Sequence, residues 1–192
     1  MAEKISVLFV CLGNICRSTM AEGVFRSLTK DAPYKDLIDT VDSCGTGARH
    51  SDPSTPFGAQ ANFSRLGAYH AGDDPDDRTM STLAKHGITD YTHAARKVRA
   101  SDFDEFDYIF AMDRSNLSDL QRYTKKSSSS AKAGQKAKVM LFGEYSGQGK
   151  AEVVNDPYYG GNQGFQTAYE QCMRFSKNFL EEKLAEAGEE KA

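Results

Sequence analysis

The chain has no tryptophan, only five prolines and four cysteines among 192 residues, and neither a long apolar run nor a block of one charge. Each shortage excludes something. Cys11, Cys16, Cys44 and Cys172 are too sparse for a disulfide-stapled scaffold and lack the paired spacing of a zinc site, so they read as thiols in a reducing compartment. The apolar run in MAEKISVLFVCLGN is too short for a secretory core, and no later stretch is long enough to span a bilayer. A cytoplasmic protein with no membrane insertion is the expectation. The 24 basic and 27 acidic residues leave a net charge of −3 without a long run of either sign, which points away from nucleic acid. An anion site, if there is one, has to be local.

What is present suits one α/β domain over residues 1–192. Ile5 to Val10 is apolar and rich in branched side chains, as in a buried strand. After Arg17, the residues Met20, Ala21, Val24, Phe25 and Leu28 recur at helical spacing. Further strands are expected at Ile38 to Asp42, Tyr108 to Met112 and Val139 to Phe142. A helix from Arg78 to His86 should start on Asp76 or Asp77 and stop at Gly87, and another should begin at Asp113 or Ser115 and reach about Tyr123. Apolar residues from Phe165 to Leu180 lie on one side of a long helix spanning about Gln163 to Glu186. Strands alternating with helices imply a mainly parallel sheet covered on both faces, with its ligand site beyond the carboxyl ends of the strands. Two segments read as irregular, Ala48 to Asp77 and Thr124 to Ala137.

The segment CLGNICRS, residues 11–18, joins the first strand directly to the first helix. In such a loop the backbone N–H groups point inward and add to the positive end of the helix, which builds a phosphate-binding loop near the N-terminus. Leu12, Gly13, Asn14, Ile15, Cys16 and Ser18 would cradle the anion. Gly13 supplies backbone freedom, Asn14 tolerates a left-handed conformation, and Arg17 offers a planar fork to two phosphate oxygens. The same field favours the thiolate form of Cys11, and Ser18 is placed to donate a hydrogen bond to that sulfur. A bare C-x5-R is a weak signal, because cysteine and arginine meet at that spacing by chance. The flanking strand, helix, Gly13, Asn14 and Ser18 give it specificity.

VLFVCLGNICRSTMAEGVF, AMDRSNLSDL and VNDPYYG together resemble the low-molecular-weight protein tyrosine phosphatases over most of the chain. The resemblance implies a four-stranded parallel sheet flanked by helices and no metal or organic cofactor. It implies hydrolysis of phosphotyrosine and small aryl phosphates through a cysteinyl-phosphate intermediate. The partners would then be phosphotyrosine-containing proteins, with inorganic phosphate as product and inhibitor. Carried over by motif, Cys11 is the nucleophile, Arg17 the clamp and Asp156 the general acid. Independently of the motif, a phenolate leaving group needs a proton donor nearby, and a carboxyl can later activate water. Tyr158 and Tyr159 correspond to aromatics at the rim of a deep cleft, where phosphotyrosine is selected by reach and stacking. The resemblance also implies a network around Asn14 made by Ser43 and His86, with Asp42 orienting the imidazole. It suggests a reversible disulfide between Cys11 and Cys16, although Cys16 reads equally well as packing under the loop.

The sequence departs from the family near residues 48–68, where about twenty residues are inserted, and 124–137 reads as a second insertion. Tyr69 is the aligned cleft-wall aromatic, with Phe57 and Phe63 as alternatives. Arsenate reductases on this scaffold need relay cysteines, a role that Cys44 and Cys172 are poorly placed to fill. Phosphoarginine phosphatases tend to carry threonine where this loop has Ile15, whose apolar bulk suits an aromatic ester. A phosphotyrosine-binding module or redox sensor would not need Asp156 beside Cys11, Arg17 and Ser18.

Overall fold

The computed structural model describes residues 4–47, 70–127, 136–158 and 161–189. Strand β1 (Ile5–Cys11) runs through residues 12–16 into helix α1 (Arg17–Leu28), followed by β2 (Ile38–Gly45), α2 (Asp77–Lys85) and a short α3 (Asp102–Glu105). Then come β3 (Tyr108–Ala111), α4 (Arg114–Ser127), β4 (Lys138–Leu141), a 3-10 turn at Phe142–Tyr145 and α5 (Gly161–Glu189). The strands form one sheet in the order β2-β1-β3-β4, and each neighbouring pair is parallel. The four-stranded parallel α/β architecture expected from the sequence is therefore the one adopted.

Alternation along β1 explains why the sheet is covered on both faces. Val7, Phe9 and Cys11 face one core, with Met20, Val24 and Phe25 of α1 and Phe165, Cys172, Phe175 and Phe179 of α5. Leu8 and Val10 face the other, with Val98, Phe103 and Leu120. The α1/α5 side is strongly aromatic: the Phe110 ring lies 5.2 Å from both Phe142 and Phe179, and Phe9 sits 5.4 Å from Phe25. Burial of both faces fixes the strand register, which sets Cys11 beside Gly45 at the carboxyl edge of the sheet.

The helix boundaries follow the local signals. Asp76 caps α2 by accepting from the Arg78 amide at 2.9 Å, and Gly87 ends that helix with φ +82°. Asp113, rather than Ser115, accepts from the Asn116 amide at 2.8 Å where α4 begins. Helix α4 continues to Ser127, so the first residues of the expected loop at 124–137 are helical. The insertion expected near 48–68 lies outside the described residues, as do Phe57, Phe63, Tyr69 and Tyr159. None of the described helices is long and apolar enough to cross a membrane.

Candidate active site

Between β1 and α1 the chain closes a loop whose peptide orientations can be derived from their acceptors. The Cys11 carbonyl accepts from the Thr46 amide, that of Leu12 from Gly47, and that of Ile15 from Asp76. The Cys16 carbonyl is taken by the Met20 amide and by the Thr19 and Thr79 hydroxyls. In a trans peptide the N–H points opposite to the carbonyl of the same unit. With these carbonyls turned outward, the amides of Leu12, Gly13, Cys16 and Arg17 turn into the loop. The Asn14 amide does so visibly, at 3.3 Å from Cys11 Sγ. Inward amides at the start of a helix make an anion cradle.

Cys11 is 3% exposed at the floor of this cradle. Its sulfur lies 3.1 Å from Ser18 Oγ, which accepts from Asn14 Nδ2 at 3.0 Å. With one lone pair of the serine occupied, the hydroxyl hydrogen is free to turn toward the sulfur. The Asn14 amide and the Ser18 hydroxyl thus both lie within hydrogen-bond reach of the Cys11 sulfur.

Asn14 is the non-glycine residue with positive φ, at 59°, among the described residues. The left-handed turn expected near Gly13 and Asn14 falls on Asn14. At Gly13 the constraint is close approach instead, since a Cβ there would lie 3.1 Å from the His70 ring. Gly45 is held more strictly, because a Cβ would come within 2.6 Å of the Leu12 carbonyl oxygen.

The Asn14 amide joins the loop to its support. Nδ2 also donates to Ser43 Oγ at 2.8 Å, while Oδ1 accepts from the Arg96 amide at 2.8 Å and meets His93 Nε2 at 2.9 Å. The backbone donor at Arg96 fixes which end of the side chain is oxygen. The histidine of this network is therefore His93 and not His86, which sits past the end of α2, stacks on Tyr169 at 3.8 Å and bonds Gln166. Asp42 is likewise displaced from its expected role: it lies 3.9 Å from His93 and is engaged by Arg96 through Nε at 2.8 Å and Nη2 at 2.7 Å. The carboxylate beside His93 Nδ1 belongs to Glu22, at 3.1 Å, which also accepts from Ser43 Oγ and the Tyr91 hydroxyl. Ser43 is where the sequence reading placed it.

Arg17, 4% exposed, reaches across the mouth of the loop. Its Nη2 donates to Asp156 Oδ2 at 3.2 Å, and Nη1 donates to the Val154 carbonyl at 3.2 Å and to Asp113 Oδ2 at 2.5 Å. Burial opposes the charge on Arg17, but Cys11, Asp156 and Asp113 outweigh it and hold the guanidinium ionised. Asp113, like His93 and Glu22, is a site member not expected from the sequence. Its signal was present only as a helix cap, and the same carboxylate performs both tasks through different oxygens. Leu12, Arg17, Asp113, Ser115, Asn116, Val154, Asn155 and Asp156 line a cleft of about 260 Å³. Tyr158, 45% exposed, donates its amide to Asp156 Oδ1 at 3.1 Å, and Ile15 is half-buried against the core.

The other three cysteines are buried as well. Burial, then the carboxylate of Asp76, raises the Cys16 thiol to about 12. Cys44 and Cys172 are wholly buried and pushed up by desolvation. Neither is placed as an exposed relay thiol.

A sequence profile for the low molecular weight phosphotyrosine protein phosphatase family matches residues 6–65 and 58–190. A low molecular weight phosphotyrosine protein phosphatase of Schizosaccharomyces pombe is 48% identical over 180 residues, covering 94% of this chain and 97% of the relative. The crystal structure of Primo-1 superposes with a TM-score of 0.70 at 36% identity, covering 94% of this chain and 99% of that one. The crystal structure of DARP, a Drosophila arginine phosphatase, gives 0.70 at 33% identity over 93% and 97% of the two chains.

Proposed function

The chain belongs to the low molecular weight phosphotyrosine protein phosphatase family, and from that premise we propose that it hydrolyses phosphotyrosine in proteins, and small aryl phosphates, through a phosphoryl group carried on Cys11. The observation that carries the residue assignment is the contact of Arg17 with Asp156 at 3.2 Å. It brings a carboxyl from a distant segment to the mouth of the loop that holds the cysteine, where a phosphate ester would have to sit.

The phosphate seats on the inward amides, with its charge matched by Arg17. The Cys11 thiolate attacks phosphorus, so an S–P bond forms as the bond to the phenolic oxygen breaks, and Asp156 gives that oxygen its proton. In the second step the Asp156 carboxylate takes a proton from water, which attacks phosphorus. The S–P bond breaks, and phosphate leaves as the thiolate returns. Ser18, aimed at the sulfur, stabilises the thiolate as nucleophile and as leaving group. Tyr158 at the rim offers an aromatic face to the phenyl ring, and half-buried Ile15 keeps the loop wall apolar. No step is assigned to a metal, and inorganic phosphate, as product, should inhibit competitively.

The test is hydrolysis of para-nitrophenyl phosphate in EDTA, with phosphotyrosine, phosphoserine and phosphoarginine peptides compared alongside. We expect turnover with phosphotyrosine preferred, none from Cys11→Ser, and a loss of about 10²–10⁴ from Asp156→Ala with phosphate binding kept. Preference for phosphoarginine would move the substrate class, and undiminished turnover by Cys11→Ser would remove the nucleophile assignment.

A further inference from the structure

The segment that carries Asp156 has no regular structure, yet it has to hold a carboxyl over a loop that is remote in sequence. Arg78, in the first turn of α2, makes the contact that ties the two together. Its Nη1 donates to the Tyr158 carbonyl at 3.0 Å. The guanidinium carbon lies 5.0 Å from the centre of the Tyr158 ring and 4.6 Å from that of Phe165, a residue of α5 that is 1% exposed. The other edge of the guanidinium is fixed by Asp76, whose Oδ1 accepts from Nε at 2.9 Å and whose Oδ2 accepts from Nη2 at 2.8 Å. Asp76 in turn donates its amide to the Ile15 carbonyl at 2.8 Å, so the same residue is pinned to the phosphate loop. On the far side, the Tyr158 amide donates to Asp156 Oδ1 at 3.1 Å, and Asp156 Oδ2 closes the circuit on Arg17.

We propose that Arg78 is a positioning residue, which acts through Tyr158 to hold the Asp156 carboxyl at the height of the leaving-group oxygen and to fix the Tyr158 ring at the rim. The assignment rests on the phosphatase reading above. Arg78 touches neither Cys11 nor the phosphate cradle directly. Its loss therefore affects the proton delivery that depends on placement, and leaves the anion cradle intact. A lysine does not replace it, because a point charge cannot face Asp76 with two nitrogens, a carbonyl with a third, and two aromatic rings with its plane. Misplacement of a catalytic group by about 1 Å can cost on the order of 10²-fold in rate.

The experiment compares wild type, Arg78→Ala and Arg78→Lys on phenyl phosphate and on 2,4-dinitrophenyl phosphate, whose leaving group needs no proton. Inorganic phosphate inhibition and hydrogen exchange are measured on the same samples. We expect kcat/KM for phenyl phosphate to fall about 10–100-fold in both variants. For the dinitrophenyl ester it should stay within about 3-fold, and the inhibition constant of phosphate within about 2-fold. Exchange in the peptide covering residues 152–158 should rise while that of α5 stays unchanged. An equal loss on both esters would mean general damage and overturn the proposal, as would no loss on either. If wild type turns over neither ester, the phosphatase reading has failed, and the exchange arm still judges the clamp: unaltered exchange at 152–158 in both variants refutes it. Should Arg78→Ala fail to fold, Arg78→Lys, which keeps charge and helix propensity, carries the test alone.

Discussion

Asp113 shows how one side chain serves both the fold and the site. Its Oδ1 caps α4 through the Asn116 amide, and its Oδ2 holds Arg17. The two duties separate by substitution. Asp113→Ala loses both and should cost about 0.5–2 kcal/mol of stability for the cap, with kcat/KM lowered at least tenfold. Asn caps helices as well as Asp does, so Asp113→Asn should recover the stability and only part of the activity. Urea melts beside kinetics decide it, and full recovery of activity in the Asn variant would leave Arg17 independent of the charge. Cys16 offers a second contrast at this scale. With its thiol held at about 12 by burial and Asp76, it carries almost no thiolate at pH 7. Iodoacetate should therefore leave Cys16 unmodified, while Cys11, the proposed nucleophile, should be labelled and be protected by phosphate. Peptide mass spectrometry reads this directly, and labelling of Cys16 at a comparable rate would contradict the burial argument.

At the scale of elements, the phosphate loop stands or falls with its support, and the support is where reading by sequence ran out. His93→Ala should lower kcat/KM about tenfold or more, because Asn14 loses its imidazole partner at 2.9 Å and the loop loses a brace. His86→Ala, which removes a ring stacked on Tyr169, should leave kcat/KM within about 2-fold. The reverse result would reinstate the network expected before the fold was known. The difference between the two histidines is physical. Cys11, Asn14, Arg17 and Ser18 lie on one strand–loop–helix unit, so their geometry follows from local rules, and the sequence shows it. His93 and Arg96 come from an extended stretch between α2 and α3 whose placement depends on the bridge between Gly45 and Lys97. No periodicity announces that contact. The strands and long helices were legible because they are buried and periodic. The four-residue helix α3 is too short to leave a pattern.

Glu22 matters to the whole molecule, because it ties α1 to Ser43 of β2 and to Tyr91 and His93 beyond α2. In the sequence it is a glutamate on an amphipathic helix, where a solvated face is the ordinary expectation, and Arg26 one turn later completes an ordinary surface pair. In the structure its side chain is wholly buried while Arg26 remains half-exposed. Burial by itself would raise the Glu22 carboxyl. The hydrogen bond and charge of His93, with Ser43 and Arg26, outweigh that and hold it below the usual glutamate value. The sign of the consequence follows: a carboxyl depressed in the folded state binds its proton more readily when unfolded. Its stabilising contribution is therefore present above the unfolded value, about 4.3, and is lost as pH falls through the lower folded value. Glu22→Gln, which cannot ionise, should be less stable than wild type at pH 7. As the pH is lowered below about 4, the difference in urea midpoint should shrink. Proton donation by a carboxyl, as in the proposed mechanism, is favoured on the acid side of neutrality. Glu22 keeps the scaffold beneath Asn14 ionised and intact through that range. A midpoint difference that stays constant from pH 7 to pH 3 would show that the buried carboxylate contributes no acid-sensitive stability, and would leave the acid limb to the surface carboxylates.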